Sequence, residues 1–575
     1  MIMNDIIQVI FFFLIIIFLT KPLGYYMTQV FSGQTTIFSF ILNPIEKIIY
    51  RLIGIDPKQN QHWLIYAFSL IIFNLIGFLT LFSILRFQDL LPYNLHHLPA
   101  LNASLAFNTA LSFITNTNWQ NYVGEKELSY FSQMVGLTVQ NFLSAATGIT
   151  VAIALIRGFS QELSSTIGNF WVDLTRCILY VLLPISFMMA FIFITQGVPQ
   201  NFLPAVEVTT LENSQQIISQ GPVASQLAIK MLGTNGGGFF NVNSAHPYEN
   251  PNALTNFLEL ILMVVLGAAL TNVFGRMTGN QKQGWVIFIT MGILFLGSFA
   301  LNYSAEIQPN PIVKDFLDQH NIPSKNMHSN MEGKEVRFGI LGSTLFSTAT
   351  TATSTGATNS LHTSFMPLTG FILFVNMLVG EVIFGGVGSG FYGMILFVVL
   401  SVFVAGLMIG RTPEYIGKKI EAKEMKMTIL ALLVSSLILL CFTALASVTS
   451  QGLAAIYNKG PHGFSEILYL FTSSVNNNGS AFTGISSNSD FYNILGGIAM
   501  FLGRYTVIIP MLSIAGSLAK KKRNQSSSGT LQTDQPLFIG LLIGIILIVG
   551  GLTYLPALTL GPITDHLMML NHKNF

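Results

Sequence analysis

Charged residues are scarce in this chain. Of 575 residues only 9% are Asp, Glu, Lys or Arg, against roughly 25% in soluble globular domains. Hydrophobic residues make up 51% and the mean hydropathy is +0.60. So little charge cannot cover a water-exposed surface of this size, which excludes a soluble protein and points to an integral membrane protein with many spans. The net charge of +2 gives no reason to expect a nucleic-acid partner. The two cysteines, Cys177 and Cys441, lie in apolar stretches, and with no CxxC pattern or Cys/His cluster a metal centre is not indicated. The N-terminus lacks both a basic run before its apolar stretch and a small-residue cleavage site, so it reads as a retained helix rather than a signal peptide. There is no Asp-Lys-Thr-Gly phosphorylation motif, no Walker pattern and no soluble stretch long enough for a nucleotide domain.

Long apolar runs are what the chain does have. A helix needs about 20 such residues to cross ~30 Å of hydrocarbon. Ten candidates follow, near 6–28, 62–86, 130–156, 170–196, 254–276, 284–303, 366–411, 427–449, 491–519 and 536–556. With the N-terminus outside, alternate loops hold Lys21, Lys47, Arg51 and Lys58; Arg157 and Arg176; Arg276 and Lys282; Arg411, Lys418, Lys419, Lys423 and Lys426; and Lys520, Lys521, Lys522 and Arg523. That concentration is what the positive-inside rule asks, and it puts both termini outside. The polar stretch 520–535 reads as a flexible inner linker.

Four further segments are too polar or too short to cross: 102–120, 221–241, 338–359 and 462–484. Each reads as a half-length helix running into a polar loop, with the endings TNTNWQ, TNGGGFF, TSTGATN and NNNGSAF. Asn116 precedes Asn235 by 119 residues, Gly236 precedes Gly356 by 120 and Gly356 precedes Gly479 by 123. A period near 120 means one unit used four times. The predicted architecture is therefore all-α: ten transmembrane helices, as four parallel span, pore-helix, loop, span repeats around a central pore, with one extra helix at each end. The expected divisions are 1–61 (extra helix and inner loop), 62–167, 168–279, 280–425 and 426–523 (repeats), and 524–575 (linker and extra helix).

Irregular backbone survives at membrane depth only where protein buries it or it lines a wet cavity. Potassium-type filters use backbone carbonyls in place of an ion's hydration shell, and glycine adopts the backbone conformations this demands. Gly236, Gly237 and Gly238 fit such a role. None of the four endings holds Asp or Glu, which argues against calcium or magnesium and for potassium, with sodium second. The seventh span would reach ~69 Å as one helix, so it must break, and FGGVGSG, Phe384 to Gly390, marks the place. That break is either a packing kink or a gate beneath the filter. Arg504 lies deep in its span, facing a cavity or snorkelling to the interface. Arg411 sits at a helix end, and Glu381, just before the break, either pairs with an arginine or faces water. Gln120 either lines the ion path or caps a loop.

These motifs, with GLMIGRTPEYIGKKIEAKEMK and FLGRYTVIIP, resemble the potassium-binding A subunit family (KdpA) of Kdp-type potassium-transporting P-type ATPases, over essentially the whole chain. The repeat plan alone would also admit the wider Trk/Ktr/HKT superfamily, and hence a stand-alone potassium channel or symporter with a cytoplasmic regulatory partner. The KdpA resemblance implies a filter of Thr115, Asn116, Thr117, Asn118 and Gln120; Asn235, Gly236, Gly237 and Gly238; Ser354, Thr355 and Gly356; and Asn477, Asn478, Gly479 and Ser480. It implies a gating loop of Phe384, Gly385, Gly386, Gly388 and Gly390, and energy coupling at Arg411 and Arg504. It implies potassium as the transported ion, in a bacterial cell membrane, and partners that include a P-type ATPase subunit (KdpB) which alone binds ATP, a single-span subunit (KdpC) and a small peptide (KdpF). In that family potassium passes from the filter sideways to the ATPase subunit, so this chain would be a non-catalytic part of an ATP-driven importer.

Overall fold

The structure is a computed structural model and describes residues 2–321, 328–524 and 531–572. Among them are ten helices long and apolar enough to cross a membrane: Met3–Phe31, Trp63–Arg86, Ser132–Ser160, Phe170–Thr195, Ala253–Met277, Gln281–Gln319, Ser389–Met408, Ala422–Val448, Asp490–Ala519 and Pro536–Leu570. The sixth is a longer helix, Gln281–Glu306, continued by a short one, Pro311–Gln319.

Four shorter helices, Ala103–Ile114, Val223–Leu232, Gly339–Ala352 and Gly460–Val475, occupy the half-length segments. At 1.5 Å per residue they reach roughly 15–24 Å and cannot cross ~30 Å of hydrocarbon. The spans that follow the pore loops form the inner ring. In the third and fifth spans 83% of the most apolar window is buried, against 22% in the first, second and tenth. This divides the bundle into core helices and peripheral helices.

The distribution of polarity is inverted relative to a soluble fold, because here the surrounding solvent is hydrocarbon. Phe18, Phe68 and Leu552 are exposed on the outer helices. The third pore helix, by contrast, buries Ser343, Thr344, Ser347, Thr348, Thr350 and Thr351. Interior polar groups need partners: Thr344, Ser347, Thr348 and Thr351 donate to carbonyls of their own helix, and helix-to-helix hydrogen bonds add to these. The amide of Asn302, on the sixth span, donates to Ser347 at 3.1 Å and Thr348 at 2.9 Å.

The seventh hydrophobic stretch breaks, as its length requires. It begins as Pro367–Leu378 and resumes as Ser389–Met408. Between the two, Gly380, Glu381, Phe384 and Gly388 have φ of +82°, +50°, +52° and +91°. Such values interrupt a right-handed helix and are costly for the two residues with a Cβ.

At the end of the bundle opposite the pore loops, the chain after the ninth span is pinned down. Lys418 is buried in the hairpin Glu414–Lys419 and donates to the carbonyls of Leu518 at 2.7 Å and Lys521 at 3.2 Å, and also to that of Gln161. Burial lowers its pKa to about 8. Arg523 donates to Phe159 and Thr278 carbonyls at 3.1 Å, and Asn524 N–H to the Gly417 carbonyl at 2.7 Å. The first residues of the expected flexible linker are thus tied to the core, and 525–530 lie outside the described residues.

Arg157, Arg276, Arg411 and Arg504, each in or just beyond a span that follows a pore loop, do not share one position. Arg157 pairs with Asp173 and Arg276 bonds Asn272 at 2.8 Å. Arg411 is exposed just beyond its helix, whereas Arg504 is buried within one.

Candidate ion pore

The four pore helices end in the same turn. Their caps are Thr115, Gly233, Thr353 and Asn476. After each cap come two residues of positive φ separated by one: Asn116 and Asn118, Thr234 and Gly236, Ser354 and Gly356, Asn477 and Gly479. The intervening N–H, of Thr117, Asn235, Thr355 or Asn478, turns back to the carbonyl five residues earlier. These bonds run to Ser112 at 2.9 Å, Lys230 at 2.9 Å, Thr350 at 3.1 Å and Ser473 at 2.8 Å. The backbone therefore pairs Asn116 with Thr234 rather than with Asn235, as the sequence spacing suggests. Gly236, Gly356 and Gly479 do correspond.

Those three glycines close a ring. A Cβ on Gly236 would lie 1.9 Å from the Thr355 carbonyl oxygen, on Gly356 2.0 Å from that of Asn478, and on Gly479 2.0 Å from that of Thr117. Each loop thus packs its glycine against a carbonyl of the next, in the order second, third, fourth, first. At the matching place the first loop carries Asn118, whose amide is taken by Asn141.

Side chains lace the loops together. Asn116 donates to the Thr234 carbonyl at 2.9 Å, Ser354 to that of Asn477 at 2.9 Å, and Asn477 to the Thr117 hydroxyl at 2.9 Å. Gln120 bridges the first two loops, donating to the Gly238 carbonyl at 2.8 Å and accepting from its N–H at 3.1 Å. Thr115 and Thr117 hydroxyls lie 2.8 Å apart, those of Thr353 and Thr355 2.7 Å. Ser480 is 2.9 Å from the Tyr469 hydroxyl. The ring's own groups are neutral and, Gln120 and Gly479 apart, buried; charged side chains reach it from behind, Lys230 at the Gly237 carbonyl and Glu381 at the Asn478 amide. Among the described residues no three His, Cys, Asp or Glu come together as a metal site would need.

On one side of the ring a cavity of 350 Å³ is lined by Asn118, Gln120, Gly237, Gly356, Gly479 and His362, among others. His362 is buried, with Nδ1 3.0 Å from the Tyr469 hydroxyl. Burial, aided by the nearby Lys334 ammonium, lowers its pKa to about 3, so it is neutral.

On the other side lies the broken stretch of the seventh span. Val387 N–H donates to the Thr234 hydroxyl at 2.8 Å, joining this stretch to the second loop. A Cβ on Gly388 would lie 2.0 Å from the Gly148 carbonyl, and one on Gly386 3.0 Å from the Ser354 Cβ. Gly385 and Gly390 pack backbone to backbone, and the Phe384 carbonyl fills the space a side chain at Gly267 would need. A cavity of 110 Å³ beside this stretch is lined by Glu381, Tyr392, Asn477, Arg504 and Tyr554. Glu381 accepts from the Asn478 amide at 2.7 Å, and no ion pair joins it to Arg504 among the described residues. Arg411 is not brought to this site.

Sequence reasoning missed Lys230, Glu249 and His362. The one available signal was a lysine placed near the end of an otherwise uncharged pore helix, since an ionisable group at membrane depth calls for a partner.

A multi-pass membrane protein with four pore loops closed into a ring is the class that this fold and site define. A family model described as "Potassium-transporting ATPase A subunit" matches residues 10–567, and the chain belongs to that family, KdpA. It is 57% identical to the "Potassium-transporting ATPase potassium-binding subunit" of Brucella anthropi over 575 residues, all of both chains. It is 57% identical to the protein of that description from Mesorhizobium japonicum over 576 residues, again all of both. The potassium transporter TrkH from Vibrio parahaemolyticus superposes with a TM-score of 0.48 at 15% identity, covering 76% of this chain and 83% of that one.

Proposed function

We propose that the four loops form a selectivity filter that takes up potassium from outside the cell and passes it to an ATP-hydrolysing P-type partner for import. The observation that carries this reading is the ring of buried, neutral carbonyl, hydroxyl and amide groups closed by Gly236, Gly356 and Gly479. Each pore helix ends at its loop, so four partly negative helix C-termini converge on the ring and favour a cation. With no carboxylate among its own residues, and with Glu249 and Glu381 engaged from behind by hydrogen bonds, the ring suits a weakly hydrated monovalent ion over calcium or magnesium. The relatives' names supply the ion and the complex. The lysine and arginine distribution supports reading the 350 Å³ cavity as the outer entrance.

In this reading the 384–390 stretch is the floor of the filter and its gate. Potassium leaves through the 110 Å³ cavity, past Glu381 and Arg504, toward the face built by the eighth and tenth spans. Arg504 holds a positive charge at that exit and limits how long a cation dwells there. Arg411, exposed at the inner surface, is placed to meet the ATPase subunit, KdpB. KdpC and KdpF complete the complex.

The test is potassium uptake by a potassium-transport-deficient bacterium expressing this chain, with and without the ATPase partner. Uptake that needs both partner and ATP supports the pump reading, and Gly236→Ser then weakens discrimination between potassium and sodium. Uptake by the chain alone, indifferent to ATP, overturns it in favour of a stand-alone channel or symporter.

A further inference from the structure

The second pore loop differs from the other three in what lies behind it. Three residues before the cap, the pore helices carry Ser112, Lys230, Thr350 and Ser473. Three of these are small hydroxyl residues, and the fourth is a lysine only 1% exposed. In the first loop the Ser112 hydroxyl donates to the Trp119 carbonyl at 3.0 Å. In the second, the Lys230 ammonium reaches the corresponding carbonyl, that of Gly237, at 2.8 Å. Lys230 is also paired with Glu249, equally buried. The other carboxylate oxygen of Glu249 accepts from Phe240 N–H at 2.9 Å and occupies the space beside Gly238. One buried cation and one buried anion thus hold the two ends of the stretch Gly237–Phe240.

This stretch needs holding. Three consecutive glycines carry no side chains to fix their conformation and lose the most backbone freedom on ordering. The first loop has Asn118, Trp119 and Gln120 at these places, and their side chains are bonded or packed. A carbonyl that accepts from an ammonium is directed at that ammonium and is a poor ligand for a second cation. A lone buried charge of either sign is strongly unfavourable, whereas a hydrogen-bonded pair is sustainable.

We propose that Lys230 and Glu249 act as a charged brace that turns the Gly237 carbonyl away from the pore and fixes the shape of the second quadrant, making the pair a positioning element for potassium selectivity. The proposal rests on the reading of the four loops as a potassium filter. Neither residue touches the ion; both act through the backbone of Gly237 and Phe240.

The experiment uses the complete complex reconstituted in lipid vesicles, with ATP hydrolysis read against potassium and against rubidium. Lys230→Met alone strands a buried carboxylate and can fail to fold, so the decisive variant is the double Lys230→Met/Glu249→Gln, which removes both charges. Its expected result is a rise of about tenfold in half-saturating potassium, in line with the loss of a charge-assisted hydrogen bond, with poorer discrimination against rubidium and an unchanged maximal rate. Gly356→Ala, in the third loop and clear of the brace, is measured alongside. If Gly356→Ala weakens potassium dependence while the double variant stays within about twofold of wild type, or merely gives less folded complex, the brace is refuted and the filter stands. If neither shifts potassium dependence, the filter reading falls and the brace with it.

Discussion

Gly356→Ala tests the ring most directly. The new Cβ would lie 2.0 Å from the Asn478 carbonyl oxygen, 2.8 Å from its carbon and 2.9 Å from the Gly479 Cα, all backbone of the neighbouring loop. No side chain can swing aside to relieve that contact, so the Asn478 carbonyl has to retreat by about an ångström. Gly356 also has φ of +76°, where an alanine is disfavoured by roughly 1–2 kcal/mol. Overpacking in a close-packed interior adds about 1–3 kcal/mol. Together these put about 2–5 kcal/mol of strain on two carbonyl-bearing loops of the ring, and a loss of about 2–4 kcal/mol in potassium binding, roughly thirtyfold to nearly a thousandfold in affinity, is expected. Potassium-dependent ATP hydrolysis by the purified complex reads it as a rise in half-saturating potassium. Gly540→Ala, in the tenth span with nothing within 4 Å of the new methyl, is the matched control and should be silent. Half-saturation within about threefold of wild type for Gly356→Ala, in a complex of normal yield, would falsify the ring as the site of potassium binding.

Gly388→Ala should slow turnover more than it changes potassium affinity, because its Cβ would meet the Gly148 carbonyl at 2.0 Å below the ring rather than within it. Equal losses in both, measured by steady-state hydrolysis, would remove the 384–390 stretch from the gating role. His362 is neutral in the fold and titrates near 6.5 when free, so the unfolded chain takes up its proton first and stability falls as pH drops from 6.5 toward about 3. The limit of that loss is about 4–5 kcal/mol, and thermal unfolding of His362→Gln should show a correspondingly shallower acid slope. Lys418→Met leaves three carbonyls at the lysine-rich end without their donor and should cost about 2–4 kcal/mol in thermal stability. For the wild type, whose Lys418 is depressed to about 8 against 10.5 when free, this site's contribution to stability should rise between those pH values, a slope absent from the methionine variant.

The ten spans, the four half-helices and the need for a break in the seventh stretch were legible because hydrophobic length and the period near 120 are properties of the linear chain. The break itself runs from Leu378 to Ser389, starting before the expected 384–390 and leaving Gly390 in the second helix. The register of the second loop was not. Matching Thr-Asn in TNTNWQ with Thr-Asn in TNGGGFF slides the loop by one residue. The backbone instead aligns Asn116 with Thr234, because the second pore helix ends one residue earlier relative to that dipeptide, at Gly233. The Lys230–Glu249 and Lys334–Glu306 pairs join positions 19 and 28 residues apart across loops of no regular period, and only the folded backbone brings them together. The pinned start of the 520–535 linker was hidden for a related reason: Lys418, Arg523 and Asn524 look like solvated charge and polarity in sequence and are fixed by carbonyls far along the chain.

The bond from Val387 N–H to the Thr234 hydroxyl ties the floor beneath the ring to the ring itself. A valve whose seat and sieve share a strut cannot be retuned one part at a time. Loosening the floor to speed passage also frees Thr234, and with it the loop that tells ions apart. Faster variants of this chain should therefore be leakier and less discriminating together, and a lineage under pressure for speed would have to find its gains downstream, in the partner that receives the ion.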